Sequence, residues 1–152
     1  FTRELVYTAQ LSDLVGTLMS RTGIEKKLRS HGVLPTEQRI EVAEVMFRRP
    51  QHLSADQIIE RLQEAGSRVS KATVYNTLNL FSAKGLVKEI IVDSSRTYYD
   101  STTRPHHHFY HVDTGKLTDI PADRVGIADL PPLPEGTVQE SVEVLIRVRD
   151  RR

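Results

Sequence analysis

The chain has 152 residues, of which 38% are hydrophobic and 6% aromatic, enough for one domain or two small ones. It contains no cysteine, which excludes disulfides and thiolate zinc sites and leaves imidazole and carboxylate groups as the strong metal ligands. No apolar run is long enough to cross a bilayer and no stretch resembles a secretory signal, so we expect a soluble, cytoplasmic protein.

The net charge of +1 conceals an uneven distribution along the chain. Residues 24–88 carry eleven Lys/Arg and seven Asp/Glu, a balance of +4. Residues 89–152 carry eight Lys/Arg and eleven Asp/Glu, a balance of −3. A basic half followed by an acidic half predicts two tasks in one chain, although charge alone does not identify either.

Residues 1–21 are predicted to form an N-terminal extension, either a docking helix or a frayed arm, because they contain a short apolar stripe at helical spacing. The stripe consists of Leu11, Leu14, Val15 and Leu18. Beyond it, Thr22 and Glu25 have the spacing of a capping box, and the helix that they begin is predicted to end at Gly32. A second helix is predicted from Thr36 to Phe47.

Two further helices and a hairpin follow the second helix. Ser54 and Gln57 form a capping box for a helix that ends at Gly66, and Ser70 caps a helix that ends before Gly85. The segments L-V-K-E-I-I-V and T-Y-Y-D, joined by D-S-S-R, then predict a β-hairpin. The inward helix faces are predicted to be Ile40, Ala43 and Phe47, then Ile58, Ile59 and Leu62, then Val74, Leu78 and Phe81.

Helices followed by a two-stranded wing are typical of the winged helix, a variant of the helix-turn-helix, which we assign to residues 22–103. The helix over residues 70–84 stands in the recognition position. Its outward residues suit base edges, thymine methyl groups and phosphates, although an ordinary amphipathic surface helix would look similar. These residues are Lys71, Thr73, Tyr75 and Asn76. The cap, the wing and the local positive charge favour DNA binding.

The second half of the chain, residues 104–152, opens with R-P-H-H-H-F-Y-H and holds four of the six histidines within eight residues. This cluster indicates a metal or haem site, a catalytic site, or chance on a solvated loop. Because alternate side chains of a strand point to the same side, we expect His106 and His108 to face one way and His107 the other. The segment through K-L-T-D-I is predicted to form a hairpin.

The remaining residues predict one helix, one connector and one strand. Pro121 could begin a short helix through about Ala128, and P-P-L-P-E-G is a stiff connector. Residues 137–148 alternate in polarity, which predicts a strand. A small sheet cannot bury such an apolar face alone, so we expect a homodimer that joins two sheets. The predicted apolar face consists of Val138, Val142, Val144, Ile146 and Val148.

Four sequence motifs occur in the following order along the chain: G-V-L-P-T-E-Q-R at 32–39, H-L-S-A-D at 52–56, S-K-A-T-V-Y-N-T-L at 70–78, and the histidine cluster. With them, residues 24–149 resemble the ferric uptake regulator (Fur) superfamily of bacterial transcription factors. The resemblance implies an α+β fold, with an N-terminal winged-helix DNA-binding domain and a small α/β domain for dimerisation and ligand sensing. Metal is bound between the two domains in that family.

The resemblance also implies the site residues. A regulatory site for Fe²⁺, Mn²⁺ or Zn²⁺ falls on three imidazoles and two carboxylates: His52, Asp100, His106, His108 and Asp119. The partner is double-stranded operator DNA, an AT-rich inverted repeat, bound by a homodimer. Tyr75 and Asn76 are expected to contact base edges, and Lys71 and Arg39 to contact phosphate. The DNA-binding residues would then be Arg39, Ser70, Lys71, Thr73, Tyr75 and Asn76.

The chain departs from the family pattern at several positions. The C-x-x-C that holds a structural zinc in many relatives is replaced by His111 and Thr114, so no structural Cys-zinc is expected. A basic residue that often reaches the minor groove is Leu34 here. Loss of C-x-x-C with H-H-H-F-Y retained is similar to the iron response regulator (Irr) branch of α-proteobacteria. That similarity implies haem binding at His106, His107 and His108, with Phe109 and Tyr110 covering the porphyrin.

The residues, together with what the resemblance implies, lead us to expect a metal- or haem-responsive transcriptional regulator, such as a repressor, of iron and haem metabolism. A haem or metal carrier without DNA-binding function is the alternative. An enzyme is not expected, because the chain contains no H-E-x-x-H, no G-x-S-x-G and no phosphate-binding loop. The choice of ligand, and whether the ligand strengthens or releases DNA binding, stay open from the residues alone.

Overall fold

The computed structural model describes residues 19–152, which fall into two compact units. The first unit ends at Thr103, and the second comprises Arg104–Arg152. The apolar stripe predicted in the N-terminal extension lies outside the described residues. Within residues 19–152, no helix combines the length and the apolarity needed to cross a membrane.

Four helices form most of the first unit, and each begins after a Ser or Thr whose hydroxyl accepts a backbone N–H from the first turn. The capping residues are Ser20, Thr36, Ser54 and Ser70. The helices are α1 (Arg21–Ser30), α2 (Glu37–Phe47), α3 (Ala55–Glu64) and α4 (Lys71–Ala83).

The predicted helix starts are confirmed for α2, α3 and α4, and the capping box of α3 is present in both directions. The capping box predicted from Thr22 and Glu25 is wrong. Ser20 caps α1 instead, because its extended backbone places its hydroxyl 3.2 Å from the N–H of Gly23, and Thr22 is already helical.

The apolar core of the first unit lies between the helices and beneath the wing. All nine inward residues predicted from the helical stripes are buried. Phe47 on α2 and Phe81 on α4 pack with ring centroids 6.1 Å apart, so α4 is held against the core through its inner face while its outer face stays accessible. At its end, Gly85 adopts φ +74°, and Leu86 N–H donates to the Phe81 carbonyl at 2.8 Å, which turns the chain into the wing.

A three-stranded antiparallel sheet completes the first unit, in the order β1-β3-β2. Its strands are β1 (His52–Ser54), β2 (Lys88–Asp93) and β3 (Arg96–Asp100). The β2–β3 hairpin was predicted from sequence, whereas β1 was not, because three residues are too few to show a strand pattern. The register of β1 on β3 sets His52 opposite Asp100.

The second unit is a three-stranded sheet in the order β5-β4-β6. Its strands are β4 (His106–His111), β5 (Leu117–Pro121) and β6 (Leu145–Val148). β4 pairs antiparallel with β5 and parallel with β6, so the strand that carries the histidine cluster is the central one. The register on β5 sets His108 opposite Asp119.

Two predictions for the second unit are wrong, although the α+β class of the whole chain is confirmed. The helix predicted from Pro121 to about Ala128 is a single 3₁₀ turn, Ala122–Arg124. Pro121 itself pairs with His106 as the last residue of β5, and Gly126 follows within one turn, so neither supports a helix start.

The second correction concerns the long strand predicted over residues 137–148. Only Leu145–Val148 forms a strand, and Val138 is 90% exposed, so it does not share a buried apolar face with the later residues. β4 pairs with β6 only from His108 onward. Val144 only begins the contact with β4, through its carbonyl, which accepts from His108 N–H at 3.1 Å. Residues 137–143 form no strand, and alternation in sequence alone does not provide a pairing partner.

Candidate metal centre and nucleic-acid interface

The first unit contains a buried carboxylate–imidazole pair, which we call the first-unit pair: His52 and Asp100. The His52 Nε2 and Asp100 Oδ2 atoms lie 3.2 Å apart, and the Asp100 side chain is 1% exposed. The other oxygen of this carboxylate, Oδ1, accepts a hydrogen bond from Thr102 N–H at 2.8 Å. Strand pairing between β1 and β3 therefore delivers one imidazole nitrogen and one carboxylate oxygen to the same point.

The second unit contains a separate group of donors, which we call the second-unit triad: His106, His108 and Asp119. Asp119 Oδ1 lies 3.3 Å from Nε2 of His106 and 3.2 Å from Nε2 of His108. The two imidazole rings meet edge to face, with centroids 4.5 Å apart. Both histidines project from the same side of β4, as the alternation of a strand requires.

The hydrogen bonds of His106 prepare its Nε2 atom for a ligand. Its Nδ1 lies 2.5 Å from the carbonyl oxygen of Arg104, which can only accept, so Nδ1 carries the proton. In the neutral ring Nε2 then presents a lone pair toward Asp119. In a metal-bound histidine, the ring nitrogen that does not bind the metal usually donates a hydrogen bond, for example to a backbone carbonyl.

Within each of the two groups, the spacing of the donor atoms fits a bound cation. Ligand atoms about 2.0–2.2 Å from one divalent ion lie about 3.0–3.5 Å from each other, in tetrahedral or octahedral arrangements. The distances within the first-unit pair and the second-unit triad, 3.2–3.3 Å, fall in that range. Imidazole nitrogen with carboxylate oxygen suits Zn²⁺, Fe²⁺ or Mn²⁺.

His107 points to the other side of β4 and makes a different contact. Its Nδ1 accepts the backbone N–H of Val144 at 2.9 Å, just before β6, so it secures this neighbouring segment. Phe109 and Tyr110 also lie on opposite sides of the strand, the first 39% exposed and the second buried. The expectation that these two rings cover one porphyrin face is therefore wrong.

A third polar group lies where the chain lacks the C-x-x-C of many relatives. His111, Asp113 and Asp150 place their donor atoms within 4.8 Å of one another, with His111 Nε2 2.9 Å from Asp150 Oδ1. Asp150 N–H donates to Asp113 Oδ2 at 3.0 Å. We call these three residues the C-terminal clamp, because they join the residues after β6 to the turn after β4.

The tautomer of His111 favours a hydrogen-bonded clamp over a metal site. Thr114 N–H donates to His111 Nδ1 at 3.2 Å, so the proton of the neutral ring lies on Nε2 and points at Asp150. A metal at Nε2 would require that proton to move to Nδ1, where it would oppose the N–H of Thr114.

The structure places the DNA-binding residues predicted on α4 at the start and along the outer face of that helix. The Ser70 hydroxyl accepts from Thr73 N–H at 3.2 Å and donates to the Thr73 hydroxyl at 2.9 Å, so both side chains serve the helix cap. Lys71 and Asn76 are exposed. Tyr75 is 44% exposed.

Tyr75 also lies near the wing. The pKa of Tyr99 on β3 is raised by burial, and further by the proximity of Glu89 and Tyr75.

Arg39 lies on α2 beside the same surface. Its Nη1 donates to the Leu34 carbonyl at 3.0 Å, so the guanidinium fixes the loop before α2. A cleft of about 630 Å³ separates the first turn of α2 from α4. It is lined by Thr36, Glu37, Gln38, Arg39, Thr73, Asn76, Thr77 and Leu80.

Two features of these sites were missed from sequence. The first is an ion pair of Arg21 with Glu37, whose only signal is opposite charge at the starts of two adjacent helices. The second is the C-terminal clamp, whose residues His111 and Asp150 are 39 positions apart without a motif. The first could not have been identified before the packing of the two helices was known, nor the second before the strand pairing was known.

Comparison with known proteins identifies the family. The model of the ferric uptake regulator family matches residues 30–129, about two thirds of the chain. The chain belongs to this family. Its fold is also that of a solved ferric uptake regulator from Pseudomonas aeruginosa with manganese, at 25% identity and a TM-score of 0.64, over 84% of this chain and 98% of that one.

Two proteins that are similar to this chain in sequence are named for a response to peroxide. The peroxide operon regulator of Bacillus subtilis is 35% identical over 93 residues, which are 61% of this chain and 64% of that protein. The peroxide-responsive repressor PerR of Staphylococcus saprophyticus is 34% identical over 93 residues, 61% of this chain and 63% of that protein. The matched segment thus spans just under two thirds of each relative.

We expect the C-terminal clamp to stabilise the second unit without metal. His111→Ala should lower the thermal unfolding midpoint by about 2–4 °C, because one hydrogen-bonded anchor of β6 is lost. Lys116→Ala, an exposed change nearby, should leave it unaltered. Calorimetric zinc titration should give the same number of sites in the parent and in His111→Ala, and a site lost in the variant would show that the clamp binds metal.

Proposed function

We propose that this protein is a metal-responsive transcriptional regulator that binds operator DNA, and that it is neither an enzyme nor a carrier. The observation that carries the proposal is the second-unit triad, whose donors meet at metal-ligand spacing in a chain that also has an exposed recognition helix beside a wing. A carrier would leave α4 and the wing without a use. The relatives are named as regulators and repressors, which supports the same choice.

The first-unit pair and the second-unit triad together form one regulatory site in this proposal. Neither group alone completes the shell of a four- to six-coordinate ion, whereas together they supply three nitrogens and at least two oxygens.

The mechanism follows from which unit carries which ligand. His52 and Asp100 belong to the unit that carries α4, so an ion held also by the second-unit triad fixes the orientation of the recognition helix. In a dimer, that orientation sets the distance between two recognition helices and hence their fit to two half-sites. A 100-fold change in DNA affinity requires about 2.8 kcal/mol of coupling, which is within the ordinary range of allostery.

The DNA contacts in this proposal combine α4, the wing and the start of α2. Tyr75 and Asn76 contact base edges, while Lys71 and Arg39 contact phosphate. One guanidinium nitrogen of Arg39 is used by Leu34, but the group has five N–H donors, so others remain for DNA. Ser70 and Thr73 act by capping α4 and by placing its first turn against the backbone.

The operator is proposed to be an AT-rich inverted repeat bound by a homodimer in the cytoplasm, where the chromosome lies. Exposed apolar side chains of the second unit support self-association. Phe109 and Ile146 are each 39% exposed, and they occupy register-paired positions on β4 and β6. These two side chains therefore form adjacent apolar surface on one small sheet.

The ligand is proposed to be Fe²⁺, Mn²⁺ or Zn²⁺. Haem responsiveness, control of iron and haem metabolism and membership of the Irr branch stay predictions from the sequence. Of the haem residues predicted, His106 and His108 share Asp119, while His107 turns to the opposite side, so the three do not form one ligand group.

The metal site can be tested with three histidine variants. His106→Ala or His108→Ala should abolish Mn²⁺-dependent DNA binding, because the second-unit triad loses a ligand. His107→Asn keeps an acceptor for Val144 N–H and should retain the metal response. Fluorescence anisotropy of labelled DNA with and without Mn²⁺ measures both. A metal response lost in His107→Asn but kept in the other two would overturn the site.

The recognition helix can be tested by comparing specific with non-specific DNA. Tyr75→Ala should reduce the preference for a duplex selected from a random-sequence pool over a scrambled one by about tenfold. Lys71→Ala should instead weaken binding to both duplexes equally and lower the salt slope by about one. An unchanged preference in Tyr75→Ala would show that this face of α4 does not read the sequence.

A further inference from the structure

An ion pair joins the starts of α1 and α2 beside the proposed DNA-binding surface. Arg21, the first residue of α1, reaches across to Glu37, the first residue of α2, through its Nη2 atom. Its Nε also contacts Glu25 Oε1 at 3.3 Å. One guanidinium therefore lies between two carboxylates.

Glu37 is in an unfavourable place for a protein that binds DNA. It lines the cleft between α2 and α4 together with Thr73 and Asn76. Glu37 is the only acidic residue among the described residues that line the cleft, and its side chain is 73% exposed. An unpaired negative charge here would repel the phosphates of a duplex docked on α4. In water, the repulsion between two unit charges about 4 Å apart weakens binding about fivefold.

We propose that Arg21 is a positioning residue for DNA binding, which neutralises Glu37 and holds its carboxylate against α1. The inference rests on the proposed function, since it assumes that α4 docks on DNA. It also gives α1 a role in that docking: α1 carries the counter-charge that makes the cleft between α2 and α4 acceptable to phosphate.

The titration of the pair is consistent with this role. The hydrogen bond to Glu37 raises the pKa of Arg21, and the hydrogen bond from Arg21 lowers the pKa of Glu37. A carboxyl group with a lowered pKa is charged at all pH values above its ordinary range, and the pairing weakens only as the pH falls through the lowered value. Both groups are therefore ionised near neutral pH.

A direct contact of Arg21 with phosphate is the competing explanation, and a double variant separates the two. In either case Arg21→Ala weakens DNA binding. If Arg21 acts through Glu37, removal of the Glu37 charge makes Arg21 dispensable. If Arg21 binds phosphate itself, a favourable contact is lost as well, and the double variant binds DNA more weakly than Glu37→Gln does.

The experiment measures dissociation constants of the Mn²⁺-loaded, full-length protein for a duplex selected from a random-sequence pool and for a scrambled duplex. The variants are Arg21→Ala, Arg21→Gln, Glu37→Gln and Arg21→Ala with Glu37→Gln. Arg29→Ala removes the same charge from an exposed position later in α1 and is the matched control. Circular dichroism confirms that each variant is folded, which we expect because Arg21 and Glu37 are exposed.

We expect Arg21→Ala and Arg21→Gln to weaken binding to both duplexes about fivefold. The double variant should return to within about twofold of the parent, and Arg29→Ala should change binding by less than about twofold. A double variant more than about threefold weaker than Glu37→Gln, or an Arg21→Ala variant with parental affinity, would overturn the inference. Failure of the parent protein to prefer the selected duplex would instead overturn the proposed function.

Discussion

The pairing of carboxylates with imidazoles is the interaction on which the polar interior of each unit depends. A buried carboxylate such as Asp100 is costly unless it is paired, and both groups of donors obtain their pairing from strand register: His52 opposite Asp100, and His108 opposite Asp119. A shift of either register by one residue would turn these side chains to the other face of the sheet. The same register holds the oxygens of Asp100 and Asp119 at metal-ligand spacing from imidazole nitrogens.

The helical and the strand elements have different physical tasks in this protein. The apolar core fixes α4 through Val74, Leu78 and Phe81. The polar outer face of α4 is therefore exposed whether or not a ligand is bound. The proposed metal donors stand on β1, β3, β4 and β5 and not on α4. A bound ion can therefore be expected to change the orientation of the recognition helix without changing its internal structure, which is what a regulatory site requires.

The sequence predicted what depends on local signals. Ser54 with Gln57, Ser70 and Gly85 mark helix ends through short-range hydrogen bonds, and the apolar stripes identified the buried faces. What depends on partners distant in the chain was not predicted: β1 is three residues long, and the alternating end of the chain is a strand only where β4 offers hydrogen bonds. The proposed metal ligands came from the family resemblance, because no local pattern connects His52 with Asp119. The C-terminal clamp and the pair of Arg21 with Glu37 became visible only with the fold.

The central claim is that one ion is held by ligands from both units. Anomalous diffraction at the manganese edge, from a crystal of the Mn²⁺-loaded protein, tests it most directly. We expect one peak per chain at about 2.0–2.3 Å from Nε2 of His52, His106 and His108, with carboxylate oxygens of Asp100 and Asp119 completing the shell. A peak bound by the second-unit triad and water, without His52 and Asp100 among its ligands, would contradict the claim.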